Sequence, residues 1–126
     1  MIKLFISQPM RGKTDDEILA ERDRVKNLVA EVFEEDIEVI NSFFRGEADK
    51  PLAMLGKSIQ LMAEADMVFF ARGWEDARGC RIEHAAAEAY ELEMGVEHNI
   101  EKNPELQEIV QKAKEKIADL MENGNE

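Results

Sequence analysis

Apolar residues fall along this chain in two alternating rhythms. Short runs at Ile2 to Ile6 and Ile37 to Ile40, and a continuous one at Met67 to Ala71, are rich in β-branched and aromatic residues. Runs of that length and character predict strands buried on both faces. Between them the apolar positions recur at helical spacing, as Ile18, Val25, Leu28, Val29, Val32 and Phe33, and then as Leu52, Leu55, Ile59 and Met62. Each set describes one stripe of an amphipathic helix. Thr14-Asp15-Asp16-Glu17 has the spacing of a capping box, with acids in the first turn where the helix dipole favours them, so the first helix starts there. Glu34-Glu35-Asp36 closes it. Pro51 suits the first turn of the second helix, whose stripe is expected to run up to Ala65-Asp66.

The second half continues the alternation. An alanine-rich stretch from Gly79 to about Met94 predicts a third helix, ended by Gly95. Val96 to Ile100 is the candidate for a short fourth strand. Asn103-Pro104 then reads as a helix start, and Leu106, Ile109, Val110, Ala113, Ile117 and Leu120 place one apolar face on a last helix over about 103–122. That face is suited to packing or to oligomerisation. Strands alternating with helices imply an α/β domain with a parallel sheet and right-handed crossovers. Such sheets bind ligands beyond the carboxyl ends of their strands. Two segments fall there, Ser7 to Lys13 and Gly73 to Glu83, and they frame the expected site.

With 126 residues and no repeat, linker or low-complexity tract, one domain spanning 1–126 is expected. The 28 acidic residues against 16 basic ones give a formal net charge of -12. That balance is the reverse of what a phosphate-backbone binder needs, so polymeric nucleic acid is not an expected partner. A small anionic ligand stays compatible, because a few backbone N–H groups and one or two arginines suffice to make a local positive pocket. The single cysteine, Cys80, permits no internal disulfide and no Cys-x-x-Cys site. No apolar run approaches the roughly 20 residues of a membrane span, and Met1 to Phe5 leads into a strand rather than a signal peptide. The expectation is a cytoplasmic chain with no membrane partner.

The loop Ser7-Gln8-Pro9-Met10-Arg11-Gly12-Lys13 combines a hydroxyl, an amide, two cations, a glycine and a following helix N-terminus. These are the parts of an anion or sugar cradle, although neither a P-loop nor a Gly-x-Gly-x-x-Gly turn is present. A plain strand-to-helix turn with solvated Arg11 and Lys13 is the alternative. The segment Gly73-Trp74-Glu75-Asp76-Ala77-Arg78-Gly79-Cys80-Arg81-Ile82-Glu83-His84 is denser still in functional groups. Trp74 is placed to stack on a planar base, Arg78 to hold a phosphate or orient an acid, and a turn at Gly79 to bring backbone N–H groups close to a ligand. Structurally, Trp74 reads as a hydrophobic lid and Arg78 as a surface cation. Glu83, four residues after Gly79, looks back toward the loop, with Cys80 and Tyr90 on its face and His84 rotated by about 100°. It is the candidate nucleophile, against the ordinary reading of a solvated helical glutamate. Cys80 reads as a small buried hydrophobe, and His84 and His98 lack ligand spacing, so no metal is expected.

Taken together, the Ile-Ser-Gln-Pro-Met-Arg-Gly loop, the Ala65-Asp66 approach to the third strand, and Gly79-Cys80-x-x-Glu83-His84-x-x-Ala87 resemble the nucleoside 2-deoxyribosyltransferase-like superfamily over roughly Met1 to Gly95. Among its members, small bacterial and phage chains are the most similar. The resemblance implies a flavodoxin-like three-layer domain with a four- to five-stranded parallel sheet, assembled as a homodimer or higher homo-oligomer. It implies cleavage of the N-glycosidic bond of a nucleoside or nucleoside 5′-monophosphate without a cofactor. The family nucleophile falls on Glu83, and the sugar- and phosphate-contacting loop on Ser7 to Gly12. This chain has Ala77 where transferases often carry an aspartate, which leaves Asp76 as the nearest acid to protonate the departing base. It also has Gly73-Trp74 in place of the usual Asp-Gly, so hydrolysis is at least as well supported as transfer. A non-catalytic binding or sensor module of the same fold is the second reading. A phosphoryl-transfer or redox enzyme is disfavoured by the missing glycine fingerprints.

Overall fold

The computed structural model describes residues 1–43, 50–98 and 104–123. In chain order the elements are β1 (Ile2–Ser7), α1 (Asp15–Phe33), β2 (Ile37–Val39), α2 (Pro51–Met62), β3 (Met67–Phe70), a single 3₁₀ turn (Trp74–Asp76), α3 (Arg78–Ala89), β4 (Met94–Val96) and α4 (Pro104–Asn123). The four strands form one all-parallel sheet in the order β2-β1-β3-β4, a flavodoxin-like arrangement. Among the described residues no helix is long and apolar enough to cross a membrane.

Strand periodicity divides the apolar residues between two layers. Leu4, Ile6 and Phe69 turn to one face and pack with Val25 and Val29 of α1, whereas Phe5, Val68 and Phe70 turn to the other and pack with Met62 of α2 and Ala87 of α3. Alternate residues of a pleated strand point to opposite faces, so a strand in the middle of the sheet must be apolar throughout. That is why β3 and the Leu4 to Ile6 part of β1 read as unbroken apolar runs, whereas Lys3 lies exposed near the start of β1. α1 opens on the capping box expected of it, with Glu17 N donating to Thr14 Oγ1 at 3.2 Å and Thr14 N donating to Glu17 Oε1 at 3.3 Å. Its stripe is buried over only part of its length, at Ile18, Val25 and Val29. Leu28, Val32 and Phe33, expected on the same buried face, are exposed, and Val25 and Val29 carry the contact with the sheet.

The second half corrects the sequence in three places. α2 ends at Met62 rather than continuing toward Asp66. α3 ends at Ala89, with Tyr90 as its C-cap and Glu91 in the left-handed region at φ 55°, so the helix is shorter than its alanine content implied. The strand then comes earlier than expected, at Met94–Val96 instead of Val96 to Ile100, and residues 99 and 100 lie outside the described residues. Gly95 is therefore a strand residue and not a helix stop. A Cβ there would sit 2.8 Å from Met67 Cε and 2.8 Å from Phe69 Cδ2, so packing against β3, and not a turn, requires glycine. Just after β4, Glu97 accepts from Arg24 Nη1 at 2.8 Å and Nη2 at 2.7 Å, and from the Arg72 backbone N–H at 3.0 Å. This clasp ties the edge strand to α1. On α4, every described side chain except that of Val110 is exposed, including Ile109, Ile117, Leu120 and Met121.

Candidate functional site

The carboxyl ends of β1 and β3 open into a cavity of about 570 Å³. Its walls are the first loop (Gln8, Pro9, Met10, Arg11), Ser42 after β2, the inner side of α2 (Pro51, Met54, Leu55, Ser58), and Asp76 to Arg81 with Glu83. The two loops singled out in the sequence thus meet across one space. They touch where Gly73, at φ 86°, lies beside Pro9: a Cβ added there would come within 3.4 Å of the proline ring. Gly12, at φ 79°, supplies the other left-handed turn, closed by Lys13 N donating to Met10 O at 3.2 Å. A non-glycine residue at either position would be strained. A larger groove, about 780 Å³, runs along the β2 edge under α1, but it includes Met1 and Ile37 at the opposite, amino end of the strands.

Glu83 lines the cavity from the second turn of α3 and is only 8% exposed. Ser7, the last residue of β1 and itself buried, donates its hydroxyl to Glu83 Oε1 at 3.4 Å. Burial raises the Glu83 carboxyl to about 7, and the Ser7 hydrogen bond offsets part of that rise. Cys80, one turn earlier, is 4% exposed, and burial pushes its thiol up to about 11. It is a protonated thiol at neutral pH, without nucleophilic character. Asp76 reaches the same cavity from the 3₁₀ turn. Arg11, Arg78 and Arg81 stand around it, and α3 begins there, with Ala77 as an N-cap that offers no side-chain acceptor. Gly79 lies inside the first turn of α3, not in a turn before it, and a Cβ there would meet nothing within 4 Å.

Two residues sit elsewhere than the sequence placed them, and a third is already engaged. Trp74 does not line the cavity: its ring stacks on His84 at a centroid distance of 4.3 Å and leans on Phe70 at 5.6 Å. The flat face expected to meet a base is thus covered by histidine. Tyr90, expected on the face of Glu83, is 81% exposed at the end of α3. Gln8 lines the cavity, but its amide is already engaged, donating to Ile18 O at 3.2 Å and accepting from Arg22 Nη1 at 3.1 Å.

The structure adds Met54, Leu55 and Ser58 of α2, which sequence reasoning passed over, to the cavity wall, and Ser42, in the segment after β2 that the sequence reads as a loop covering part of a pocket, lines it too. Their signal was topological, since Ser42 follows a parallel strand and α2 follows that loop, but nothing in their spacing marked them. Arg22 is 7% exposed within α1 and donates from Nη2 to Ile40 O at 2.9 Å and to Ser42 Oγ at 3.0 Å, besides its bond to Gln8. Burial alone lowers its pKa from the ordinary arginine value.

Residues 2–96 match the family model described as Domain of unknown function (DUF4406), and the chain belongs to that family. The match takes in all four strands and every residue of the cavity, and leaves out α4. No curated protein and no solved structure matches the chain.

Proposed function

We propose that this member of the DUF4406 family cleaves the N-glycosidic bond of a nucleoside or nucleoside 5′-monophosphate, with Glu83 as the nucleophile. The observation that carries the reading is a single one: a glutamate 8% exposed, in the wall of a ligand-sized cavity at the carboxyl ends of a parallel sheet. A buried carboxylate in a cleft with a strongly shifted pKa is a candidate for chemistry on physical grounds. In this mechanism the ionised Glu83 adds to the anomeric carbon as the C–N bond breaks through an oxocarbenium-like transition state. The departing base takes a proton from Asp76; water, giving a proton back to Asp76, then hydrolyses the glycosyl ester and returns Glu83 as a carboxylate. Ser7 orients the attacking oxygen. Arg11, Arg78 and Arg81 with the amino end of α3 supply positive potential for a 5′-phosphate, which favours the monophosphate over the nucleoside. The apolar side of the base would lie against Met10, Met54 and Leu55, since Trp74 is turned away.

The same geometry supports a second reading, a nucleotide-binding module without turnover. Its specific support is the raised pKa of Glu83, which leaves much of the carboxyl protonated, and unable to attack, at neutral pH. The test is chromatographic. The purified protein is incubated with ribo- and deoxyribonucleosides and their 5′-monophosphates, with and without an acceptor base, alongside Glu83→Ala. Free base or exchanged nucleoside that is lost in the variant supports the enzyme. A rise in melting temperature with one nucleotide but no product gives the binding module. Neither response to any member of the panel would refute both. As part of the same reading we propose a homo-oligomer, supported by the exposed apolar residues of α4 and tested by sedimentation of the chain with and without residues 104–126.

A further inference from the structure

Arg22 is a charged residue at 7% exposure whose three described hydrogen bonds all go to neutral acceptors. A buried guanidinium is costly to desolvate, and here no carboxylate is among those three acceptors to offset the cost. Stability alone gives a poor account of its presence, because an apolar side chain of similar length would fill the space without that cost. Its acceptors explain it better. One is the side chain of Gln8, in the loop after β1; the other two are Ile40 O and Ser42 Oγ, in the segment after β2. Gln8 and Ser42 are each 5% exposed, and both line the cavity. The planar guanidinium has donors in a fixed fork, so it holds its acceptors at set directions in a way a lysine ammonium does not. Gln8 passes the constraint on, since its Nε2 is bonded to Ile18 O and its amide cannot rotate without breaking one of the two bonds.

We infer that Arg22 is a positioning residue that locks the loop after β1 to the loop after β2 through Gln8 and Ser42, holding two walls of the cavity at a fixed separation before ligand enters. The inference rests on the reading of this cavity as the ligand site. It does not require that the ligand be a nucleotide. A preorganised wall spares the ligand the ordering cost of two loops, so the lock acts on affinity first and on the chemical step second.

The test compares backbone ¹⁵N relaxation in the wild type, Arg22→Lys and Ser42→Ala. Lysine keeps the charge and the aliphatic stem, which protects against simple failure to fold, but it cannot bridge three acceptors in the same geometry. In the wild type, residues 10–12 and 41–43 are expected near the rigid order-parameter range of about 0.85, and in Arg22→Lys both loops fall toward about 0.6 while residues 4–6 and 68–70 stay rigid. Ser42→Ala cuts one arm, so it loosens 41–43 and leaves 10–12 rigid. Unchanged loops, loosening of a single loop in Arg22→Lys, or a loss that spreads through β1 and β3 would each overturn the inference. The last outcome would make Arg22 an ordinary structural residue. Where the nucleotide panel gives turnover, Arg22→Lys raises KM about tenfold with kcat within about threefold of wild type, and a fall in kcat at unchanged KM counts against the lock. A wild type that ignores every nucleotide defeats the proposed chemistry and leaves the relaxation result standing on its own.

Discussion

Arg22 and Arg24 leave the same helix two residues apart, which turns them about 200° from each other. Arg22 points toward β2 and meets neutral oxygens at the cavity wall. Arg24 points toward β4 and meets two carboxylates, Glu97 at 2.7 Å and Glu21 at 3.1 Å. Hydrogen bonds donated to Glu97 raise the Arg24 pKa, while burial alone lowers that of Arg22. The carboxylates on the two sides differ in the same way. Burial raises Glu83, at the cavity. Burial also acts against the charge of Glu97, but bonds from Arg24 and from the Arg72 backbone outweigh it and hold its carboxyl below the ordinary value. One side of the domain thus keeps charges poorly compensated, as the proposed site would require, and the other side compensates them, as a structural clasp should.

The sharpest way to break this comparison is Glu83→Gln. If the cavity side carries chemistry, the substitution lowers kcat for the glycosidic substrate by about a thousandfold or more, because the nucleophile is gone, and costs little stability. Retained turnover with melting behaviour like the wild type would remove Glu83 from the mechanism.

Stability against pH separates the two sides by sign. Glu83 has an ordinary value of 4.5 and a folded value of about 7, so the folded state holds its proton longer than the unfolded chain does. Its burial therefore costs nothing below the ordinary value, and the penalty grows as pH rises to about 7 and is complete above it, reaching up to about 3 kcal/mol. Glu97 has the opposite sign, its contribution being present above the ordinary carboxylate value and lost as pH falls through its depressed one. Urea denaturation from pH 4 to 8 of the wild type, Glu83→Gln and Glu97→Gln checks both. The decline toward high pH should disappear in Glu83→Gln, and part of the decline toward low pH in Glu97→Gln.

Smaller effects belong to the clasp side. Gly95→Ala forces a methyl against Met67 and the Phe69 ring and should cost about 1–3 kcal/mol. Arg24→Met removes two charge-assisted bonds to Glu97 and should cost about 1–2 kcal/mol, measured by denaturant midpoint, with activity retained. Tyr90→Ser marks the lower limit. At 81% exposure it should change stability by less than about 0.5 kcal/mol and leave activity unaltered, which separates it from the Glu83 face that helical spacing alone would assign it to.

The strands and helices were largely legible because their signals are local. A buried strand between two helical layers must be apolar at every position, and a capping box is complete within four residues. The fourth strand was misplaced because its three residues include Gly95, whose reason is a contact with Met67 and Phe69 on β3, some thirty residues away along the chain. The site was legible at the level of its loops, since parallel strands deliver their carboxyl ends to one edge. Its inner wall was not. Met54, Leu55 and Ser58 carry the pattern of an ordinary amphipathic helix, and Trp74 carries the same local signal whether it faces a ligand or His84.

By itself, then, the sequence determined the alternation of strand and helix, the apolar character of β1 and β3, the acidic surface, and the two loops from which a site is built. Periodicity and capping settle these, because they depend on which side of a segment meets water. Tertiary structure alone decided that Glu83 is buried rather than solvated, that Trp74 is turned away from the cavity, and that Arg22 joins two loops. A glutamate, a tryptophan or an arginine reads the same along the chain in either setting. Its burial and its partners are set by distant segments that the sheet order β2-β1-β3-β4 brings alongside.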